Sequence, residues 1–126
     1  MDNNELIKIA KNIVRPITLS RPNMDAATVG CAILAHNGKV YDGICIDLSC
    51  GLGFCAEAAA MANMIKDGET KIIKIVAVSD NGVLSPCGRC REMMVQVNQW
   101  NFNADIIISV NECMKLRQLL PNHWME

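Results

Sequence analysis

Cys55-Ala56-Glu57 sets a thiol two residues ahead of a carboxylate, and 30 residues after that carboxylate comes Cys87-Gly88-Arg89-Cys90 with Pro86 directly in front. Three thiols offer Zn²⁺ three soft ligands and leave its fourth tetrahedral position open. A carboxylate two residues from one thiol is placed to move protons at that open position. A C-x₂-C pair alone is shared by structural zinc ribbons and redox motifs. A structural site normally has four protein ligands and no adjacent acid. Together the residues point to a hydrolytic metal centre, with Cys55, Cys87 and Cys90 as ligands and Glu57 as the proton carrier.

The elements around these residues must bring them together. Ala56 to Lys66 is alanine-rich without a breaker and stops at Asp67-Gly68, which predicts a helix. Ser85-Pro86 predicts a second helix start, with Ser85 as N-cap and Pro86 in the first helical position, running to about Gln99. Both halves of the motif thus fall at helix N-termini, where partial positive charge and free N–H groups favour thiolate. Cys87 and Cys90 are three apart and share a helical face. Cys55 and Glu57 are two apart, about 200° around an ideal helix. They converge only if Cys55 stands at the helix start with non-helical backbone, an entry that Gly51 and Gly53 permit. Arg89, between two ligands, is placed to hydrogen-bond thiolate sulfur and offset the negative charge of three thiolates.

Elsewhere, Asp2 to Ile17 reads as an amphipathic helix opened by an Asp2/Glu5 capping box and limited by Pro16. Thr28–Leu34 and Lys39–Asp47 read as strands joined at Asn37-Gly38. Lys71–Val78 and Asp105–Val110 are further strands, Asp80-Asn81-Gly82 a turn, and Lys115–Leu120 a short helix stopped by Pro121. The order α-β-β-α-β-α-β-α predicts a mixed sheet packed between helices in a single domain, residues 1–126.

Composition narrows the function. With 51% apolar and 20% charged residues the 126-residue chain is expected to fold around one core. Twelve basic against 13 acidic residues give a net charge of −1, against a nucleic-acid gripping surface and in favour of a small, roughly neutral substrate. No apolar run is long enough for a membrane span. The start, Met1 to Glu5, is polar and acidic, unlike a signal peptide, and seven cysteines is an odd number, so a reducing cytoplasm is expected. Cys31, Cys45, Cys50 and Cys113 read as small buried hydrophobes, with Cys50 also able to serve as a fourth zinc ligand. Met61, Met64, Met93 and Met94 read as core filler or as subunit-interface residues.

These motifs resemble the cytidine deaminase family. Val29-Gly30-Cys31-Ala32 is similar to its first-strand VGAA, Cys55-Ala56-Glu57-Ala58 to its CAE motif, Pro86 to Glu92 to its PCGxCRQ, and Leu119-Leu120-Pro121 with Trp124 to its C-terminal LLPxxF. Val83 to Arg91 is especially similar to the blasticidin S deaminase branch, which carries arginine between the two cysteines. The resemblance implies a three-layer α-β-α sandwich with a mixed five-stranded sheet, Zn²⁺ on Cys55, Cys87 and Cys90, and Glu57 as proton shuttle. It implies Arg89 beside the thiolates, a backbone contact from Ala56 to a pyrimidine, and a homotetramer whose neighbours complete each pocket, with Trp124 among the substrate-binding residues. Where the family carries Asn-x-Glu to hold ribose hydroxyls, this chain has Cys45-Ile46-Asp47: the acid is shortened and the amide lost. The family's aromatic residue before VGAA is Ala27, and its arginine after CAE is Ala58.

The expected function is zinc-dependent hydrolytic deamination of a nucleoside-like small molecule, a cytosine nucleoside or an analogue such as blasticidin S, without nucleic acid or membrane partners. A deaminase of another aminated heterocycle is the alternative within the same class. A non-catalytic zinc protein, its metal closed by Cys50, is the alternative outside it.

Overall fold

A computed structural model of the chain describes residues 1–125. Helix α1 (Asn3–Asn12) starts at Asp2, whose side chain accepts from the Glu5 N–H. It ends earlier than the apolar stripe predicts, because a residue before proline disfavours helical backbone. Past Pro16 the chain is extended, and Ile17–Thr18 forms the two-residue strand β1. The hairpin of β2 (Asp25–Ala35) and β3 (Val40–Asp47) turns at Asn37-Gly38. Next come α2 (Ala56–Lys66), β4 (Ile72–Ser79), β5 (Gly82–Leu84) and α3 (Gly88–Val97). A 3₁₀ turn (Gln99–Asn103), β6 (Asp105–Ser109), β7 (Glu112–Lys115) and α4 (Leu116–Leu119) follow.

The sheet has seven strands, not five. β1 pairs with the edge of β2 that also carries β4, and β5 pairs with the edge of β4 that also carries β6. The two short strands therefore fill out existing lanes, and the sheet runs β3-β2-β4-β6-β7 across five lanes. Only the β4–β6 pairing is parallel.

Side-chain alternation along the strands divides the core into two layers. Ala32, Val76, Val78 and Ile107 meet Leu6 and Ala10 of α1 on one face. Cys31, Ile33 and Ile75 meet Met61, Met64, Met94 and Leu116 on the other. Met61, Met64 and Met94 are fully buried, so they are core residues and not interface residues. Asn101, also fully buried, accepts from the Ile72 N–H and donates to the Thr70 and Met94 carbonyls, which joins the start of β4 to the end of α3. Among the described residues no helix is long and apolar enough to cross a membrane.

Gly43 seats α2 on the sheet. A Cβ there would stand 2.4 Å from the Ala60 nitrogen and 2.7 Å from the Ala59 carbonyl carbon. Neither backbone atom can yield without moving the helix. Gly43→Ala is expected to lower stability by about 1–3 kcal/mol, read as a lower urea midpoint. An unchanged midpoint would show that this contact does not set the height of α2.

Candidate active site

Cys55 is the N-cap of α2, with extended backbone at φ −75° and ψ 155°. This removes the divergence that two helical positions would impose on Cys55 and Glu57. The approach is held by a short bridge between the loop and β3: the Phe54 N–H donates to the Ile46 carbonyl and the Ile46 N–H to the Phe54 carbonyl. Gly53 allows it, since a Cβ there would lie 2.3 Å from the Ile46 oxygen.

The second helix starts later than expected. Cys87, not Ser85, is the N-cap of α3, and Pro86 lies outside the helix. The cause is Arg91, two of whose donors hold the preceding segment extended while the third reaches α4. Its Nε donates to the Pro86 carbonyl at 2.8 Å, one Nη to Ser85 Oγ at 3.0 Å, and the other to the Leu119 carbonyl at 2.9 Å. Arg91 lies within the motif, but no spacing rule shows that it braces the approach to Cys87 and ties it to α4.

The two helix starts bring Cys55, Cys87 and Cys90 together, with all three sulfurs within 4.8 Å of one another. Cys55 Sγ and Cys87 Sγ are 3.7 Å apart. A tetrahedral centre with Zn–S bonds of about 2.3 Å has edges of about 3.8 Å, so this separation fits zinc. Cys50 does not join the cluster; it sits exposed on a turn with φ 62°. Cys113 is exposed as well, so only Cys31 and Cys45 of the four remaining cysteines are buried.

The thiols are not equivalent. For Cys87, burial works against ionisation, but the backbone N–H groups of Cys90 and Arg89 and the neighbouring thiols outweigh it and lower its pKa. Burial pushes Cys55 up, and the Cys87 thiol and Glu57 add to this. Cys90, almost fully enclosed, is pushed far up by burial and then by the charge of Glu57. Glu57 is 6% exposed, and burial raises its pKa although its own N–H and the Cys90 thiol favour the carboxylate. The Arg89 guanidinium is exposed and makes no hydrogen bond to sulfur among the described residues; its backbone N–H serves Cys87 instead.

A cavity of about 390 Å³ opens over this cluster. The motif side contributes Cys55, Ala56, Glu57, Cys87 and Arg89, and the β2–β3 hairpin contributes Thr28, Cys45 and Asp47. Between Ala26 and Gly30 the register of β2 against β3 shifts, so Ala27, Thr28 and Val29 stand opposite Cys45 alone. Ala27 takes up the bulge in the left-handed region at φ 61°. The Val29 N–H donates to Cys45 Sγ at 3.3 Å, and the Thr28 hydroxyl meets the same sulfur at 3.2 Å. Nothing in the sequence marks Thr28 for this wall, because its place there depends on the bulge. Trp124 is not brought to the cavity of its own chain: it is 80% exposed, and its backbone N–H donates to Glu92 Oε1.

A mixed sheet between helix layers, with three thiols and a buried acid at two helix starts, defines a zinc-binding α/β domain. The profile described as "cytidine and deoxycytidylate deaminase zinc-binding region" matches residues 2–104, and the chain belongs to that family. It is 36% identical over 70 residues to a cytidine deaminase of Mycobacterium tuberculosis, covering 54% of this chain and 53% of that protein. It is 36% identical over 76 residues to a blasticidin-S deaminase of Bacillus cereus, covering 52% and 54%. These matches span about half the length of the curated relatives. The crystal structure of cytidine deaminase from Mycobacterium tuberculosis superposes with a TM-score of 0.83 at 27% identity, covering 100% of this chain and 99% of that one. The family and the sulfur geometry agree on zinc as the metal.

X-ray absorption on zinc-loaded protein is expected to show three sulfurs and one light atom, whereas four sulfurs would return Cys50 to the metal. In zinc-stripped protein at pH 8, Cys87 is expected to react with iodoacetamide at least about tenfold faster than Cys90, because the thiolate is the nucleophile. Equal rates would contradict the asymmetry.

Proposed function

We propose that this chain is a zinc-dependent hydrolase that removes the exocyclic amine of a cytosine nucleoside or analogue as ammonia. The observation that carries the reading is a carboxyl group, Glu57, buried beside three thiols in zinc-ligating geometry and lining one cavity with two of them, Cys55 and Cys87. Cys55, Cys87 and Cys90 would hold the metal, whose Lewis acidity makes water nucleophilic near neutral pH. Glu57 takes up the two protons of that water in turn and delivers one to the ring nitrogen and the other to the leaving amine. Its low exposure keeps those protons from bulk solvent, and burial gives it a pKa suited to both accepting and donating. Below that raised value Glu57 already carries its proton, so activity falls on the acid side above the ordinary glutamate range.

The remaining wall recognises the substrate. The Ala56 backbone is fully buried at the cavity and suits an edge-on contact to a pyrimidine. Asp47 accepts from the hydroxyl or amine groups of the substituent on the ring. Cys45 sits beside it, with its sulfur already engaged by Val29 and Thr28. The cavity volume lies in the range of small-molecule sites. Apolar surface at Leu52, 70% exposed, and at Trp124 is consistent with a homotetramer in which neighbours close the cavity. Seven free cysteines suit a reducing cytoplasm.

The test is a spectroscopic panel of cytidine, deoxycytidine, cytosine, blasticidin S and guanine with the zinc-loaded chain. Ammonia release is expected from a cytosine nucleoside or blasticidin S. Glu57→Gln is expected to lower it about 10²–10⁴-fold while zinc remains bound. Release by that variant at the wild-type rate would sink the mechanism, and turnover of guanine alone would move the substrate to another heterocycle.

A further inference from the structure

Asp47 lines the cavity, and directly across the β2–β3 ladder from it stands another acid, Asp25. The pairing is unusual, because like charges opposite one another weaken a ladder. Asp25 is partly buried and forms no part of the cavity wall. Its Oδ1 is shielded from solvent and has no hydrogen-bond partner among the described residues. A buried carboxylate oxygen without a donor is costly. A proton kept on Asp25 removes the charge that lacks a donor and gives the carboxyl a hydrogen to offer the acid across the ladder.

No ion pair among the described residues neutralises the two acids. The ion pairs among the described residues are Lys39–Asp67 and Lys115–Asp105, and neither involves Asp25 or Asp47. β1, on the other edge of β2, brings Ile17 and Thr18 opposite Ala26 and Asp25, and neither is ionisable. From β3 the nearby titratable group is Cys45, whose sulfur lies 3.8 Å from Asp47 Oδ2. That sulfur accepts from the Val29 N–H, meets the Thr28 hydroxyl and is placed to donate to Asp47 Oδ2.

We propose that Asp25 is a positioning residue: it shares one proton with Asp47 and, with the Cys45 thiol on the other side, fixes the Asp47 carboxylate toward the cavity. Two carboxylates set directly opposite one another on a ladder disfavour each other's ionisation, so the pair retains a proton where a lone aspartate would not. Partial burial, and then the neighbouring Asp47 carboxylate, accordingly hold the Asp25 carboxyl above its usual value. The arrangement answers a difficulty created by the chain itself. An aspartate beside a thiol has fewer groups to orient it than a longer acid beside an amide, and Asp25 supplies the missing restraint. The consequence falls on binding and not on proton transfer, since Asp25 touches neither Glu57 nor the thiols. The inference rests on the proposed activity for what Asp47 meets, but the pair itself can be tested without a substrate.

Carbon-13 NMR of the aspartate carboxyls in the zinc-loaded chain tests the shared proton. One carboxyl of the pair is expected to titrate above the ordinary range, and its step is expected to vanish in Asp25→Asn. Independent titration of both groups in the ordinary range would overturn the proposal. Kinetics with cytidine test the positioning. Asp25→Ala is expected to raise KM about tenfold with kcat within about twofold, while Asp25→Asn, which keeps a donor toward Asp47, restores KM to within about threefold. An unchanged KM in Asp25→Ala, or an Asp25→Asn variant as impaired as Asp25→Ala, would equally overturn it. If the wild type releases no ammonia, the proposed activity fails, and the carboxyl titration alone decides the pair.

Discussion

Everything in the site depends on two helices beginning at the same point. An α-helix exposes its first N–H groups and a partial positive charge at its start, so a thiol placed there is both aimed and favoured as thiolate. One such start makes a reactive cysteine; two make a metal site. The rest of the molecule can be understood as the means of holding these two starts about one tetrahedral edge apart. Gly43 lets α2 lie directly on β3, and the Phe54–Ile46 bridge delivers the chain to Cys55. Arg91 holds Ser85 and Pro86 extended so that α3 opens on Cys87, and through Leu119 it ties that approach to α4. The chain reaches this arrangement through backbone contact and carbonyl hydrogen bonds, which tolerate little displacement.

Burial then divides the labour within the cluster. Glu57 and Cys90 are enclosed, while Cys87 faces the cavity and collects backbone donors. The group with the greatest cost of ionisation is therefore the deepest thiol, and the charge of Glu57 adds to that cost. Such a thiol gives up its proton when a cation takes its place, so metal binding and proton release are one event at Cys90. Glu57 has the complementary problem: it needs an environment dry enough to raise its pKa, yet open enough to reach a substrate. Its position one residue inside α2, beneath the cavity, meets both needs.

How much of this could be read from the chain follows the same division. The motif residues were legible because their spacing is local: Cys87 and Cys90 share a helical face, and Cys55 with Glu57 demanded a cap. Where the expectation failed, a non-local contact had overruled local preference. Ser85-Pro86 is a sound helix opening by itself, but two hydrogen bonds from Arg91 hold it extended. The stripe from Leu6 to Ile17 has helical period to its end, yet Ile17–Thr18 finds an open edge of β2 beyond Pro16. The short strands β5 and β7 carry little pattern and exist because longer neighbours offer them partners. Asn101 gives no sign in the sequence of the three carbonyl and amide groups it satisfies.

The substrate wall was the least legible part, and the reason is backbone conformation. Three residues of β2 stand opposite one of β3, and Ala27 accepts a left-handed conformation that costs a non-glycine residue about 1–2 kcal/mol. Strain of this kind persists only where the surroundings impose it. Here the Arg15 N–H holds the Ala27 carbonyl, and Cys45 Sγ takes the Val29 N–H that the ladder leaves unpaired. A side-chain sulfur thus completes a backbone hydrogen bond. The residue at position 45 is consequently constrained from within the protein before any ligand arrives. An amide at this position would face the same backbone donor and would have to divide its groups between the bulge and the cavity. With a thiol there, the bulge is satisfied and recognition passes to the neighbouring carboxylate. The reaction is set by helix starts that pattern reveals, whereas the choice of substrate is set by a bulge that only the folded hairpin shows.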